Sequence, residues 1–322
     1  MKRASILVLS LVVALCLALP LAGCSSSSYT PQLKDQTVNN SALNTAGTLR
    51  VGINASNAPY ATQSNGSIVG IDVDIAAALA DEMGLKLELV DVGTATDTAF
   101  ARENVDIVMG VEEANSAYWM SEDYMNSGIA LFSLTEGAQA PTAAGSFKVA
   151  AQSSSMSAWE VTDHYGESCL ENAGDPNAAF EMLSTGSVNY VAAESTIGEY
   201  VIHTSGIDAY PIALLQDATP RTIAVASANQ ELQQAVTSAL STLVDGGVIE
   251  VIEGCWLGGH FDIAGLTVIP AAASSETSED ASTDESSTDT TDSSADTTST
   301  TSTSNNASSS TDTTSDESTS EG

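Results

Sequence analysis

Positive charge is scarce in this chain. Eight Lys and Arg stand against 42 Asp and Glu over 322 residues, a formal net charge of −34 at pH 7. Nucleic acids and anionic lipid surfaces are gripped by clustered basic side chains, so neither is expected as a partner. The deficit is not confined to one end, because residues 25–270 hold 30 acidic and six basic residues. Histidine is equally thin: His164, His203 and His260 are scattered, and no Cys-x-x-Cys or Cys/His cluster occurs. No metal site and no cofactor is therefore expected. Of the four cysteines, only Cys169 and Cys255 lie beyond residue 24. An exported location permits a disulfide between them, but nothing in their spacing brings the two together.

What is present is most legible at the ends. Lys2 and Arg3 precede an apolar run, Ile6 to Leu19, broken only by Ser10. The run falls short of the ~20 apolar residues of a membrane span and reads as an export signal over residues 1–24. It closes on Leu21-Ala22-Gly23-Cys24, which resembles a bacterial lipobox. Cys24 is thus the expected lipidation site, which would tether an exported protein to the cell membrane; the alternative is a secreted, unlipidated chain. Residues 25–46 read as a polar tether. Residues 271–322 are almost wholly Ser, Thr, Asp, Glu and Ala, with 12 acidic residues and neither an aromatic nor a basic one. Such a segment cannot bury enough apolar surface to offset its ordering entropy, and disorder is expected.

The segment between the ends alternates strand and helix signals. Leu49, Val51 and Ile53 alternate over 48–53. A helix is expected from an N-cap at Asp72 through Ile75, Leu79 and Met83 to a stop at Gly84. Leu85, Leu87 and Leu89 alternate again, and 105–110 supplies a third strand after a helical stretch near 96–102. A second set follows: strand 147–151, helices 155–165 and 176–184, and strand 188–193. The chain closes with strand 222–226, a helix over 229–245 bearing Leu232, Val236, Ala239, Leu240 and Leu243 at helical spacing, and a short helix leading to Trp256. Strand–helix–strand in this order implies parallel α/β units.

Several motifs together resemble the family-3 bacterial solute-binding proteins that serve polar amino acid importers. They are Val51-Gly52, Pro59-Tyr60, Gly70-Ile71-Asp72-Val73-Asp74 opening a helix that ends on Met83-Gly84, then Asp245-Gly246 and Trp256-Leu257-Gly258. The resemblance spans about 47–258. It implies a two-lobe, type II periplasmic-binding-protein fold with two crossing strands as hinge. Lobe 1 would be 45–131 plus 224–262, and lobe 2 would be 132–223. By the same resemblance the protein is a monomeric substrate-binding lipoprotein that works with ABC permease subunits and captures a small polar solute, amino-acid-like or cationic, between the lobes. On this lobe assignment Cys169 and Cys255 fall in different lobes and are expected to be unbonded.

Carried onto this chain, the resemblance marks Tyr60 as an aromatic packing on the ligand and Asn54 as a polar contact where the family often has Asp. Asn57 and Gly93 stand where the family often has aromatics. Ser154 and Ser155 match a turn at a helix start, where free N–H groups attract anions, although capping alone explains the serines. Glu194 takes the place of an acidic residue that pairs with a ligand amine. The departure follows Gly110: the Arg that grips an α-carboxylate in the family is absent, Glu112 and Glu113 stand nearby, and Arg221 is the best substitute. The expected ligand is accordingly neutral or cationic. Two other readings stay open: a non-transport sensor or degenerate surface lipoprotein, and a dehydratase-type enzyme using Glu112, Glu113 or Glu194. No nucleophile–base pair is visible, and the expectation is a binding protein and not an enzyme.

Overall fold

A computed structural model describes residues 34–259 and 263–271. The expected signal segment with Cys24, and all but the first residue of the expected acidic tail 271–322, lie outside the described residues. The expected tether 25–46 is corrected over 34–46, where Val38 and Leu43 are buried in the apolar layer that also holds Leu79 and Val236, because these two side chains leave water there.

In chain order the strands are β1 (Thr48–Ile53), β2 (Ser56–Asn57), β3 (Ala61–Ser64), β4 (Ser67–Val69), β5 (Lys86–Asp91), β6 (Ile107–Val111), β7 (Tyr118–Met120), β8 (Met125–Ser127), β9 (Ile129–Ser133), β10 (Val149–Gln152), β11 (Leu170–Ala173), β12 (Tyr190–Glu194), β13 (Tyr210–Leu214) and β14 (Thr219–Ala226). The longer helices are α1 (Ile71–Glu82), α2 (Met156–Tyr165), α3 (Pro176–Ser184), α4 (Ser195–Ser205), α5 (Gln230–Asp245) and α6 (Val248–Leu257).

Two sheets organise the molecule. The first has the order β5-β1-β6-β14-β7, with β5, β1 and β6 parallel and β14 antiparallel to β6. The second has the order β11-β10-β12-β9-β13, with β11, β10 and β12 parallel and β9 antiparallel to its neighbours. A small antiparallel sheet, β2-β3-β4, precedes α1. Parallel sheets are covered on both faces, and each large sheet has two apolar layers. Ile71, Ile75, Leu79, Val236 and Leu240 fill one layer of the first sheet, and Val105, Val108, Val111 and Ala224 another. Phe132, Phe180, Leu183, Val191 and Val201 form one layer of the second sheet, and Val149, Val161, Tyr165 and Cys169 the other.

The lobes are joined where β8 pairs with the first half of β14, in the register Ser127 with Thr219, Asn126 with Pro220 and Arg221 with Met125. This is the expected pair of crossing strands. The chain enters the second sheet at β9, directly after the first crossing, and β14 carries it back into the first sheet. The segment after α6 returns to the edge of the second sheet, where Ile269 N–H donates to the Leu214 carbonyl at 2.8 Å. His164 helps to fasten it, with Nε2 at 2.9 Å from the Ile269 carbonyl and Nδ1 at 2.9 Å from that of Glu160.

Local chemistry explains most element boundaries. Ser155, Asp175 and Asn229 cap α2, α3 and α5 by accepting from backbone N–H groups three residues on, as short oxygen side chains do. The five α5 residues expected on its apolar face are all buried. Asp72 differs from its expected role. Gly70, not Asp72, occupies the N-cap of α1, and Asp72 lies within the first turn, 3% exposed. Gly70 is required there: at φ +149° an added Cβ would sit 2.1 Å from the Tyr60 carbonyl oxygen. Cys169 is buried, Cys255 is exposed on α6, and both are free thiols.

Candidate functional site

Between the lobes lies a cavity of about 460 Å³, adjoined by one of about 640 Å³ lined from the first lobe and the crossing strand; together they form the cleft and share Asn57, Glu112, Glu113 and Arg221. The inner cavity adds Tyr60 from the loop before β3, Ser127 and Thr219 from the crossing, and Glu194 and Ile197 at the start of α4. The outer one adds Asn54, Asp72, Gly93 and the segment after Gly110. Arg221 is the sole cation among these lining residues, against Asp72, Glu112, Glu113 and Glu194.

Arg221 organises the site. Its Nη2 donates to Asp72 Oδ2 and its Nη1 to Glu112 Oε1, both at 2.9 Å. Its guanidinium carbon lies 3.6 Å from the centroid of the Tyr60 ring, a cation–π contact strengthened by exclusion of water. Nε is buried without a hydrogen-bond acceptor. Burial alone would lower the affinity of the guanidinium for its proton, but Asp72, Tyr124 and Tyr60 reverse this, and the net direction is upward. Arg221 is permanently charged.

Asp72 receives a second hydrogen bond from Tyr124 Oη at 2.7 Å. Burial raises its carboxyl, while Arg221 and Tyr124 oppose the rise. With two charge-assisted contacts on the carboxylate, the ionised pair is the state that this geometry holds. Gly110 makes the arrangement possible: its φ is +71°, and an added Cβ would stand 2.2 Å from Arg221 Nη2.

Glu194 sits on the opposite lobe. It caps α4, accepting from Ile197 N–H at 3.0 Å, and accepts from Tyr60 Oη at 2.9 Å. Burial pushes its carboxyl upward, and the Tyr60 hydroxyl holds it back in part. The Tyr60–Glu194 bond ties the first lobe directly to the second across the cleft floor.

Bacterial extracellular solute-binding proteins, family 3, have a sequence profile that matches residues 49–259. The chain belongs to this family. The fold agrees. A polar amino acid ABC uptake transporter substrate binding protein from Streptococcus thermophilus superimposes with a TM-score of 0.60 at 17% identity, over 73% of this chain and 93% of that one. The L-cystine solute receptor of Neisseria gonorrhoeae, in its unliganded open conformation, gives 0.58 at 17% identity, over 68% and 95%. An ancestral cationic amino acid solute binding protein gives 0.57 at 23% identity, over 66% and 96%. No curated protein sequence matches the chain. It therefore has the type II periplasmic-binding-protein fold of a family-3 solute-binding protein.

Within this family frame, the structure brings Asn54, Tyr60, Glu112 and Glu194 to the cleft. Asn54 also closes a local turn, accepting from Ser56 N–H at 3.2 Å. Tyr60 is only 3% exposed; its ring covers Arg221, whereas the sequence suggested that it would cover the ligand. Ser154 and Ser155 do not line either cavity. Ser155 Oγ accepts from Ala158 N–H and donates to the Gln152 carbonyl, which is the capping role, and its neighbour Met156 reaches the cleft instead. Arg50 is paired with Glu88 and Arg102 is exposed, so neither replaces the missing arginine.

Asp72 and Tyr124 escaped the sequence reading. The Gly-Ile-Asp-Val-Asp motif was a signal for Asp72, but capping offered a sufficient local explanation. Among the described residues, Glu160, Asp163 and His164 are the one carboxylate–histidine group compact enough to hold an ion. Both His164 nitrogens already face backbone carbonyls there.

Proposed function

We propose that this chain is the substrate-binding lipoprotein of an ABC importer, anchored outside the cell through Cys24, and that it captures a small polar solute of neutral or positive charge. The observation that carries the ligand class is the neutralisation of Arg221. Asp72 and Glu112 occupy both of its Nη groups, so the cleft offers a solute more carboxylate than cation. A negatively charged solute would be desolvated against Glu113 and Glu194 with no free positive partner, which is costly. A cationic or neutral solute meets Glu194 from the second lobe and Glu112 or Glu113 from the first.

One observation favours a second reading. The Glu112 side chain is 48% exposed, whereas that of Asp72 is 4% exposed. A solute carboxylate could displace Glu112 from Arg221 without disturbing the buried pair. Calorimetry with the standard amino acids, simple amines and small cationic peptides separates the readings. The proposal expects binding of a cationic or neutral solute that weakens in Glu194→Gln. Micromolar binding of an acidic amino acid, unaffected by Glu194→Gln and tightened by Glu112→Gln, would establish the second reading and overturn the first.

A further inference from the structure

A third cavity, of about 540 Å³, shares no lining residue with the cleft. It lies between α4, which follows the second sheet, and α5 and α6, which cover the first, with Met125 and Asn126 of the crossing strand in its wall. Its charged groups are the carboxylates of Asp123, Glu199, Glu250 and Glu253, with no Lys, Arg or His among the described lining residues, and neutral polar groups come from Tyr124, Asn126, Ser195 and Thr196. Val244, Ile249, Leu257 and Ile263 supply an apolar part of the wall.

Glu199 singles this cavity out. It is 5% exposed, and the influences on its carboxyl are burial, then the charges of Glu194 and Glu253, with no hydrogen-bond donor and no cation among them. A carboxyl buried in this way ordinarily has a partner. A bare metal ion fits poorly. Calcium collects six to eight oxygens at ~2.3–2.6 Å, and among the described residues these carboxylates form no such compact group. An apolar wall beside one buried carboxylate, with further carboxylates exposed around it, suits an organic cation.

We propose that this cavity is a second ligand site, which takes an aliphatic amine whose ammonium group pairs with Glu199 and whose alkyl body lies on the apolar wall. A diamine would also reach Glu250 or Asp123, both exposed at the rim. The occupant would bridge helices of the two lobes, beside the Glu194–Ile197 junction that lines the cleft.

Among the described residues, the charges that act on Glu199 are those of Glu194, at the start of α4, and Glu253, on α6. Glu250 of α6 and Asp123 of the segment before β8 line the same cavity. His203 stands one turn further along α4, against Gly258. Burial first, then Glu194 and Glu253, push its carboxyl up to about 8. An ammonium group replaces that proton, so affinity should rise with pH through this range.

Calorimetry on the full chain tests the site, with 1,5-diaminopentane and calcium chloride as separate probes. The expected result is a diamine site that persists in Glu194→Gln, is tighter at alkaline than at mildly acidic pH, and is weakened by about tenfold or more in Glu199→Gln, the scale of one lost charge-assisted contact. Glu250→Gln, at the exposed rim, should weaken it by a smaller factor and serves if Glu199→Gln folds poorly. Four results would each overturn the proposal: no diamine binding, diamine binding unchanged in both variants, loss in Glu194→Gln with retention in Glu199→Gln, or binding of calcium alone.

Discussion

Glu199→Gln should change how the stability of this protein depends on pH. The substitution keeps the shape of the side chain and removes its titration. In the native protein the carboxyl is held at about 8, against an ordinary 4.5, chiefly by burial. A carboxyl whose proton affinity is higher folded than unfolded binds more protons in the folded state, so stability falls as pH rises between those two values. Each tenfold change in proton affinity is worth ~1.4 kcal/mol, which bounds the loss at about 5 kcal/mol over the interval. Glu199 borders a cavity that admits water, and screening there reduces the effect to about 2–3 kcal/mol. At roughly 2–4 °C per kcal/mol for a body of this size, the Gln variant should gain about 4–12 °C over wild type between mildly acidic and mildly alkaline pH. Melting curves of both proteins in amine-free buffer across that range measure it. Asp72, Glu194, Asp106 and Glu160 also have raised carboxyls, but they are common to both proteins and largely cancel in the difference. A gap between the two melting temperatures that stays constant with pH would refute the reasoning.

Arg221→Met should destabilise the fold by about 3–5 kcal/mol, because it leaves Asp72 buried without its cation; adding Asp72→Asn should recover part of the loss, and a double-mutant cycle by urea unfolding measures the coupling. Cys24→Ala should release the protein into the medium or leave it unprocessed, which fractionation shows, and a processed variant that stays membrane-attached would refute lipidation. A chain ending at Pro270 should keep the melting temperature of the full chain, because 271–322 offers no large apolar side chain to dock; a drop of several degrees would show that the tail packs.

The resemblance already carries the family and the two-lobe layout, because its motifs sit where local physics and fold agree. Alternating Leu49, Val51 and Ile53, the capped starts of α2, α3 and α5, and the apolar face of α5 are all short-range patterns, and short-range patterns are what a sequence displays directly. Among the elements missed, β9 is a short, wholly buried and mainly apolar run without the alternation that marks a strand, and α4, β11 and β13 have weak local signals. Helix α4 reads Ser-Thr-Ile-Gly-Glu-Tyr-Val-Ile-His-Thr-Ser, rich in residues of modest helix propensity. Glu194 caps it, and Gly198 lets it approach the Phe132 ring so closely that an added Cβ would stand 2.4 Å from it. Strands β11 and β13 are short edges of the second sheet, and Pro211 in β13 lowers the strand signal while remaining acceptable at an edge.

The site divides along the same line. Composition by itself determined that positive charge would be scarce. The family resemblance, carried by the sequence motifs, implied that the usual arginine after Gly110 is missing and that Tyr60 and Glu194 belong near a cleft. Only the tertiary structure decided what Arg221 does. Its partners Asp72 and Glu112 lie 149 and 109 residues away in the chain, and its place over Tyr60 depends on β14 crossing back beside Gly110. No local pattern encodes a contact of that separation. The same holds for Glu199, an ordinary helix glutamate in sequence, which becomes a buried acid only because α6 and the crossing strand close around it.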